Sequence, residues 1–282
     1  MIAITGATGH LGRLVIAALL KKVPASGIVA VARNVEKARD IAAMGVHVRR
    51  ADYNQPPMWD TALKGVDKVL LISSSEVGQR AKQHRSVIDA ATRSGVKLLA
   101  YTSVLHADTS TLGLAAEHKE TEAMIRASGI PFTLLRNGWY TENYTAGIAG
   151  ALARGAVYGC AGEGRIASAA RADYAEAAAA VLTAENQAGR VYELAGDTAY
   201  TLAELAAEIS RQSGKNIGYV NLPEAEYRNV LIKAGLPEVV AALLADSDTG
   251  VSKGALFDDS HQLSKLINRP TTSLAAAVSA AM

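Results

Sequence analysis

The chain has 282 residues, of which 49% are hydrophobic and 20% charged, so it can bury a substantial core and is too apolar to be disordered. Its 29 Lys and Arg nearly balance its 27 Asp and Glu, which argues against a nucleic-acid-coating protein or a polybasic membrane-surface protein. The single cysteine, Cys160, excludes an intramolecular disulfide and a cysteine-built metal centre, and it fits a reducing, cytoplasmic location.

The longest apolar run near the start, Leu14–Leu20, is far shorter than the ~20 residues of a membrane span, so we predict no integral membrane segment. Short aliphatic runs then alternate with longer helical patterns, which is typical of a parallel sheet covered on both faces. The predicted strands are Ile2–Thr5, Ile28–Ala32, Val46–Arg50, Lys68–Ser73, Lys97–Thr102 and Phe132–Leu135. The predicted helices between them are Leu11–Lys22, Val35–Met44, Met58–Lys64, Gly78–Ser94 and Ala115–Ser128.

After about residue 138 the alternation loosens and helical patterns predominate. The predicted elements here are helices at Ala146–Ala153, Arg171–Ala184, Thr201–Ser213 and Pro223–Ala234, and strands at Val191–Leu194 and Lys215–Asn221. Thr201 is predicted to cap its helix, with Glu204 at the spacing of a capping box. We therefore predict an α/β protein with a Rossmann-type, doubly wound parallel sheet at residues 1–138. A smaller, mostly helical C-terminal lobe follows at residues 139–282; it is partly discontinuous and shares the sheet.

Three glycines follow the first predicted strand, in the segment Gly6-Ala7-Thr8-Gly9-His10-Leu11-Gly12. One glycine allows a tight turn, one lets the backbone approach a pyrophosphate, and one lets the helix pack close to the strand. The N-terminus of the next helix supplies free N–H groups and the positive end of its dipole. Because the motif lies between a strand and a helix, it predicts dinucleotide binding; the alternative is an ordinary strand–helix loop.

Arg33 follows the second predicted strand, where NAD-binding proteins place an acidic residue that binds the adenosine ribose. A guanidinium at this point can pair with a 2′-phosphate, so we predict NADP(H) rather than NAD(H) as the cofactor. The alternative is that Arg33 is an exposed loop residue. The stretch after it, Asn34–Lys37, is interpreted as a helix cap and first turn.

Hydroxyl residues end two further predicted strands: Ser73, Ser74 and Ser75 follow the fourth, and Tyr101–Ser103 end the fifth. Ligands of open α/β sheets bind outside the carboxyl ends of the strands, so these side chains could line the cofactor's ribose and nicotinamide. Serines also end strands without any such role. No Tyr-x-x-x-Lys pair follows, so the usual acid for carbonyl reduction is missing. A substrate that accepts hydride directly, such as a quinone or a cationic dye, fits better.

The chain resembles the quinone reductases of the NmrA-like branch of the atypical short-chain dehydrogenases/reductases. The segments that carry the resemblance are Gly6–Gly12, Val31–Asn34, Ile72–Arg80, Tyr101–Ser103, Leu135–Tyr144 and Tyr192–Asp197. The similarity runs nearly end to end, through 245–248 and 252–254. The triphenylmethane reductases are the next nearest group; they share Arg136-Asn137 but not the run from Ser73 to Arg80.

The resemblance implies NADPH as the cofactor, with no flavin, held by the glycine turn, by Arg33 and by the three serines. It implies further cofactor contacts from Asn137, Gly138, Trp139, Tyr140, Thr141, Glu142 and Arg165. It also implies a small-molecule quinone as the partner. No metal ligand and no nucleic-acid partner are predicted, and a monomer or a homodimer is expected.

Three residues are candidates for the acceptor site: His118, Asn143 and Tyr140. An imidazole with a pKa near neutrality can stabilise or protonate a developing oxyanion, although a lone histidine is usually structural. His84, His106 and His261 are interpreted as surface residues. Asn143 offers an amide beside the expected nicotinamide position, and the rings of Tyr140 and Trp139 offer apolar faces; core packing is the alternative for both rings.

Two classes of function stay open. The chain is either an enzyme that passes a hydride from NADPH to a quinone, with a dye reductase as a variant, or an NmrA-like redox sensor that binds NADP(H) without turnover. The acceptor is expected over the nicotinamide, between residues 137–144 and the C-terminal lobe. Cys160 has no His or Asp in helical register and is expected to be inert.

Overall fold

The computed structural model describes all 282 residues, and their contacts divide the chain into two compact units. The first unit contains Met1–Ala107, Ala116–Asn137 and Arg171–Glu193, and the second contains Asp108–Ala115, Gly138–Ala170 and Leu194–Met282. The chain thus returns to the first unit after residue 170. From the sequence, residues 1–138 are predicted to bind NADP and residues 139–282 to bind the acceptor, and this assignment stays a prediction.

The strands carry the framework of both units. They are β1 Ile2–Ile4, β2 Ile28–Ala32, β3 His47–Arg50, β4 Lys68–Leu71, β5 Leu98–Val104, β6 Phe132–Asn137, β7 Ala156–Gly159, β8 Arg190–Leu194 and β9 Gly218–Asn221. Seven of them form one sheet in the order β3-β2-β1-β4-β5-β6-β8, and each neighbouring pair from β3 to β6 is parallel. This confirms the predicted Rossmann-type sheet, whose strand order reverses between β1 and β4.

Thirteen helices accompany the strands. They are α1 His10–Leu20, α2 Arg39–Ala43, α3 Pro57–Ala62, α4 Arg80–Arg93, α5 Ala115–Ala127, α6 Glu142–Thr145, α7 Ile148–Arg154, α8 Arg171–Thr183, α9 Leu202–Ser213, α10 Glu224–Lys233, α11 Glu238–Ser252, α12 Gln262–Ile267 and α13 Leu274–Ala281. None of them combines the length and apolarity that crossing a membrane requires.

The core of the first unit explains why its strands are so hydrophobic. Every residue of β2 and of β5 is buried, because helices cover both faces of the sheet. Trp59 and Tyr101 are among the bulkiest buried side chains, and each keeps a hydrogen bond. Trp59 Nε1 donates to the carbonyl oxygen of Asp52 over 3.0 Å, and the hydroxyl of Tyr101 is 2.7 Å from Nδ1 of His118. Burying apolar surface in this way contributes about 25 cal/mol per Å².

The helix predicted at Val35–Met44 is interrupted in the structure. A 3-10 turn covers Val35–Ala38, and α2 begins only at Arg39. The side chain of Asn34 accepts a hydrogen bond from the N–H of Glu36 over 3.0 Å, which caps the turn as expected.

The second unit contains a small parallel sheet of β7 and β9 surrounded by helices. The predicted capping box at the start of α9 is present: Thr201 accepts from the N–H of Glu204, and Glu204 accepts from the N–H of Thr201. Neither β7 nor the long helix α11 is indicated by the sequence pattern, since β7 is short and α11 has no strong apolar stripe.

Candidate functional site

The glycine segment forms a tight turn between β1 and α1. Gly6 has a φ of +57°, a conformation that side chains with a Cβ rarely adopt. A Cβ on Gly9 would lie 3.2 Å from the carbonyl oxygen of Gly6, and one on Gly12 would lie only 2.4 Å from it and 2.8 Å from the Cα of Ala7. Gly6 is therefore required by its left-handed backbone, and Gly9 and Gly12 by the close approach of the carbonyl oxygen of Gly6.

The N-terminus of α1 has no side-chain cap. Gly9 occupies the N-cap position with an extended backbone, and no side chain accepts a hydrogen bond from the first turn. Gly9 and His10 are exposed, Thr8 is half-buried, and Leu11 is buried below the turn. The free N–H groups and the helix dipole together make this end of α1 suitable for a pyrophosphate.

Arg33 lies at the carboxyl end of β2, and its side chain is 70% exposed. Its guanidinium is 3.6 Å from the carboxylate of Glu76, which is also exposed. An exposed ion pair of this kind contributes little, about 0–1 kcal/mol, so Arg33 can exchange Glu76 for a phosphate. The contact with Glu76 is not apparent in the sequence, because the two residues are 43 positions apart.

The three serines after β4 differ in their surroundings. Ser74 is buried: its N–H donates to Nε2 of His84 over 2.9 Å, and its hydroxyl donates to Gln83. Ser73 is half-buried and Ser75 is exposed. Ser74 therefore uses its side chain within the protein, while Ser73 and Ser75 have the accessibility that a cofactor contact requires.

Two histidines differ from the sequence-based expectation. His84 is not a surface residue; it is buried, and burial lowers its pKa to about 3. His118 is 4% exposed, and burial, reinforced by the charge of Arg80, lowers its pKa to about 3 instead of leaving it near neutrality. Its Nδ1 is 2.7 Å from the hydroxyl of Tyr101. The imidazole is therefore neutral and held in place, so it has no extra proton to donate.

A polar clamp that the sequence does not reveal fixes the loop between β4 and α4. The Nε of Arg80 donates to the carbonyl oxygen of Ser74 over 2.6 Å. On α5, Oε1 of Glu117 accepts from the N–H of Gly78 over 2.8 Å. These contacts set the position of the serine segment. The sequence indicated only that Arg80 and Glu117 are charged residues near the starts of two predicted helices.

The segment from Asn137 to Glu142 follows β6. Asn137 is buried, and its Oδ1 has no hydrogen-bond partner. In the second unit, Gly138 donates its N–H to the carbonyl oxygen of Leu194 over 2.7 Å. The hydroxyl of Thr141, also buried, is 2.8 Å from that of Ser168.

The remaining three residues of the segment, Trp139, Tyr140 and Glu142, are half-buried. Tyr140 pairs with Ala169 in an isolated parallel bridge, and Glu142 opens α6. The structure thus leaves Asn137 as the member of the segment with an unsatisfied buried acceptor. A ligand amide is the kind of donor that such an oxygen lacks.

Two residues of the second unit have well-defined partners. The guanidinium of Arg165 is exposed and donates to the carbonyl oxygen of Ala199. Cys160 is half-buried and its thiol donates to the carbonyl oxygen of Ala245 over 3.3 Å. Burial raises the pKa of Cys160 to about 11, which agrees with the expectation that this thiol is inert.

A cavity of about 380 Å³ lies inside the second unit. Trp139 and Asn143 line it, as do aliphatic side chains of α7, α9, α10 and α11, whereas Tyr140 does not. Its size is within the roughly 300–1,000 Å³ of small-molecule sites. Asp248 also lines the cavity. The sequence did not single it out, because the pattern does not indicate the helix α11 on which it lies.

A parallel sheet with an uncapped, glycine-bounded helix N-terminus at its first crossover defines a dinucleotide-binding protein of the Rossmann class. A family model described as the NmrA-like family matches residues 1–273. The chain therefore belongs to the NmrA-like family.

Relatives with described activities cover almost the whole chain. Quinone oxidoreductase 2 of Escherichia coli (strain K12) is 61% identical over 99% of this chain and 98% of its own length. The structure of an NADPH-dependent quinone oxidoreductase from Escherichia coli complexed with NADPH matches with a TM-score of 0.98 and covers 99% of both chains. A Citrobacter sp. triphenylmethane reductase complexed with NADP(H) is 42% identical, with a TM-score of 0.97 over 100% of both chains.

Proposed function

We propose that this chain is an NADPH-dependent quinone oxidoreductase that works without a flavin and reduces its acceptor by direct two-electron hydride transfer. The observation that carries the proposal is the 61% identity over 99% of the chain to quinone oxidoreductase 2 of Escherichia coli. The Citrobacter dye reductase is less similar, at 42%, and is therefore the less favoured model for the substrate.

The residues of the first unit fit NADPH at four points. The free N–H groups at the start of α1 suit the pyrophosphate, and the exposed guanidinium of Arg33 suits the 2′-phosphate. The unpartnered Oδ1 of Asn137 is an acceptor for the carboxamide N–H of the nicotinamide. Ser73 and Ser75 are accessible for ribose contacts. Bound in this way, NADPH supplies a hydride.

We further propose that the quinone occupies the cavity of the second unit. Its aliphatic walls suit an apolar ring, and the amide of Asn143 and the indole of Trp139 give it polar and flat contacts. His118, in the first unit, is a neutral imidazole rather than an acid, so no proton is assigned to it. Tyr140, Thr141, Glu142 and Arg165 remain proposed cofactor contacts. We also propose that the protein is a cytoplasmic monomer or homodimer without a nucleic-acid partner. The near balance of positive and negative charges supports the absence of a nucleic-acid partner.

The test is the loss of NADPH absorbance when 1,4-naphthoquinone is added to the purified protein. We expect turnover with NADPH, weaker activity with NADH, and no flavin absorbance in the protein itself. A protein that binds NADPH tightly but does not oxidise it in the presence of the quinone would be a sensor. Turnover of a cationic triphenylmethane dye without turnover of the quinone would instead identify a dye reductase.

A further inference from the structure

One carboxyl group is buried at the wall of the apolar cavity. Asp248, on α11, is 4% exposed, and its Oδ2 accepts a hydrogen bond from the backbone N–H of Cys160 over 3.1 Å. It forms no ion pair with Lys, Arg or His. A buried carboxyl without a cation is costly to keep charged, so it needs a functional explanation more than a paired one does.

The backbone of β7 is adapted to receive this carboxyl group. A Cβ on Gly159 would lie 2.8 Å from Oδ2 of Asp248 and 2.4 Å from Cδ1 of Leu202. Gly159 is therefore the residue that lets the carboxyl approach the strand. The position of Asp248 is determined by the fold rather than by the flexibility of its side chain.

A buried hydrogen-bond donor lies in the same cavity wall as Asp248. The hydroxyl of Tyr144 is buried and has no hydrogen-bond partner. Burial, with the nearby charge of Asp248 as the next cause, holds the pKa of Tyr144 well above its usual value, so this hydroxyl keeps its proton. Its ring is oriented edge-on against Tyr200, with the ring centres 6.3 Å apart. An unused buried O–H beside a ligand-sized cavity is a group that lacks an acceptor.

We propose that Asp248 is the proton donor for the reduced quinone and that the hydroxyl of Tyr144 donates a hydrogen bond to the same ligand. This rests on the proposed function. Hydride addition reduces the quinone by two electrons to a hydroquinone anion and oxidises NADPH to NADP⁺. The O–H bond of Asp248 then breaks, its proton bonds to the anionic oxygen, and the carboxylate regains a proton from solvent. The sum is quinone, NADPH and one proton giving hydroquinone and NADP⁺.

The protonation state of Asp248 fits this role. Burial raises its pKa to about 6, so a large fraction carries a proton in mildly acidic solution. The groups whose pKa is raised in part by its charge stay protonated near neutral pH; they are Tyr144, Tyr219, Tyr227 and Cys160. The charged residues nearby are Arg154, which lines the cavity, and Glu224, which accepts a hydrogen bond from Thr249. Among Asp248 and the four groups whose pKa its charge raises, Asp248 is therefore the one with a pKa, of about 6, in the mildly acidic range.

The experiment compares wild type with Asp248→Asn, using 1,4-naphthoquinone and saturating NADPH from about pH 5 to about pH 8. Below its pKa Asp248 is protonated, so kcat/KM of the wild type is highest there and falls about tenfold per pH unit above it. Asp248→Asn is expected to lower kcat/KM about 100-fold at the acidic end and to give a flat profile. The two proteins converge near pH 8, and the Kd for NADPH is the same in both.

Two control variants separate the outcomes. Asp246→Asn removes a carboxylate from the same helix outside the cavity, where it binds the N–H of Gly113, and is expected to keep the wild-type profile. Tyr144→Phe is expected to weaken naphthoquinone binding, which is measured by the quenching of Trp139 fluorescence. The pH dependence of kcat/KM is expected to stay the same as in the wild type. An unchanged profile in Asp248→Asn, or a flat profile in an active wild type, overturns the inference; the wild-type profile decides even where Asp248→Asn fails to fold. A wild type without quinone turnover refutes the proposed function instead.

Discussion

His118 in the first unit and Asp248 in the second are both buried titratable groups, and burial favours the neutral form of each. For His118 the neutral form is the deprotonated one, with a pKa of about 3. For Asp248 the neutral form is the protonated one, with a pKa of about 6. The same desolvation therefore removes a transferable proton from the histidine and leaves one on the aspartic acid.

The two proposed sites also differ in what determines them. In the first unit the backbone sets the site: a left-handed Gly6, a tightly packed Gly12 and a bare helix end. In the second unit side chains set it, in an apolar cavity with few polar groups. Variants in the first unit are therefore expected to change cofactor affinity, and variants in the second to change the reaction with the acceptor.

The largest effect is expected from Gly12→Ala. The added methyl group would overlap the carbonyl oxygen of Gly6, and overpacking of this kind costs about 1–3 kcal/mol, so NADPH affinity should fall up to about 100-fold. Gly27→Ala is the matched control, since no atom lies within 4 Å of a Cβ there. Fluorescence titration with NADPH measures both. Equal affinity in the two variants would contradict the role of the turn.

Arg33→Asp comes next. A charge-assisted contact contributes roughly 1.5–3 kcal/mol, so NADPH affinity is expected to fall about tenfold or more. NADH affinity should stay the same or improve, because NADH has no 2′-phosphate. The two Kd values, measured side by side, report the preference directly. The same NADPH affinity in wild type and variant would refute the cofactor assignment.

Asn143→Ala tests the second unit. Removing an amide from the cavity wall is expected to lower kcat/KM for 1,4-naphthoquinone about tenfold, because one hydrogen bond to the ligand contributes about 0.5–1.5 kcal/mol. The Kd for NADPH should not change. Full activity in the double variant Asn143→Ala, Tyr140→Ala would mean that the acceptor binds elsewhere.

The smallest effect is expected from His118→Ala. A neutral imidazole bonded to Tyr101 can orient groups but cannot supply a proton, so quinone kcat/KM should fall only a few-fold, against the roughly 10²-fold or greater loss expected for an acid. The wild-type pH profile should persist in the variant. A loss of about 100-fold with a changed profile would transfer the acid role from Asp248 to His118.

The sequence predicted the first unit far better than the second. The alternation of short aliphatic runs with helical patterns was enough to predict the strands from β1 to β6, because a parallel sheet buried on both faces requires such runs. The glycine turn and Arg33 were predictable because a motif fixes their place relative to a strand and a helix. Local signals also sufficed for the cap of α9, where Thr201 and Glu204 are three residues apart.

Long-range contacts explain what the sequence could not predict. The buried ring of His84 has its hydrogen-bond partners elsewhere in the chain: the N–H of Ser74 donates to its Nε2, and the hydroxyl of Thr121 is 2.9 Å from its Nδ1. The cavity of the second unit is lined by residues of several helices and of β7, whose mutual contacts no sequence periodicity describes. Asp248 was recognisable as part of a resembling segment, but its proximity to Gly159 and Tyr144 exists only in the fold. Its pKa depends on that burial and so could not be derived from the sequence.

The raised pKa of Cys160 has a consequence for the chemical durability of the protein. Quinones are electrophiles that arylate thiolates by conjugate addition, so a protein that handles them risks inactivation by its own substrate. With a pKa of about 11, only about one Cys160 in ten thousand is a thiolate at pH 7. The S–H group of Cys160 also donates a hydrogen bond to the carbonyl oxygen of Ala245. The single cysteine of the chain is thereby protected from alkylation by the quinone substrate.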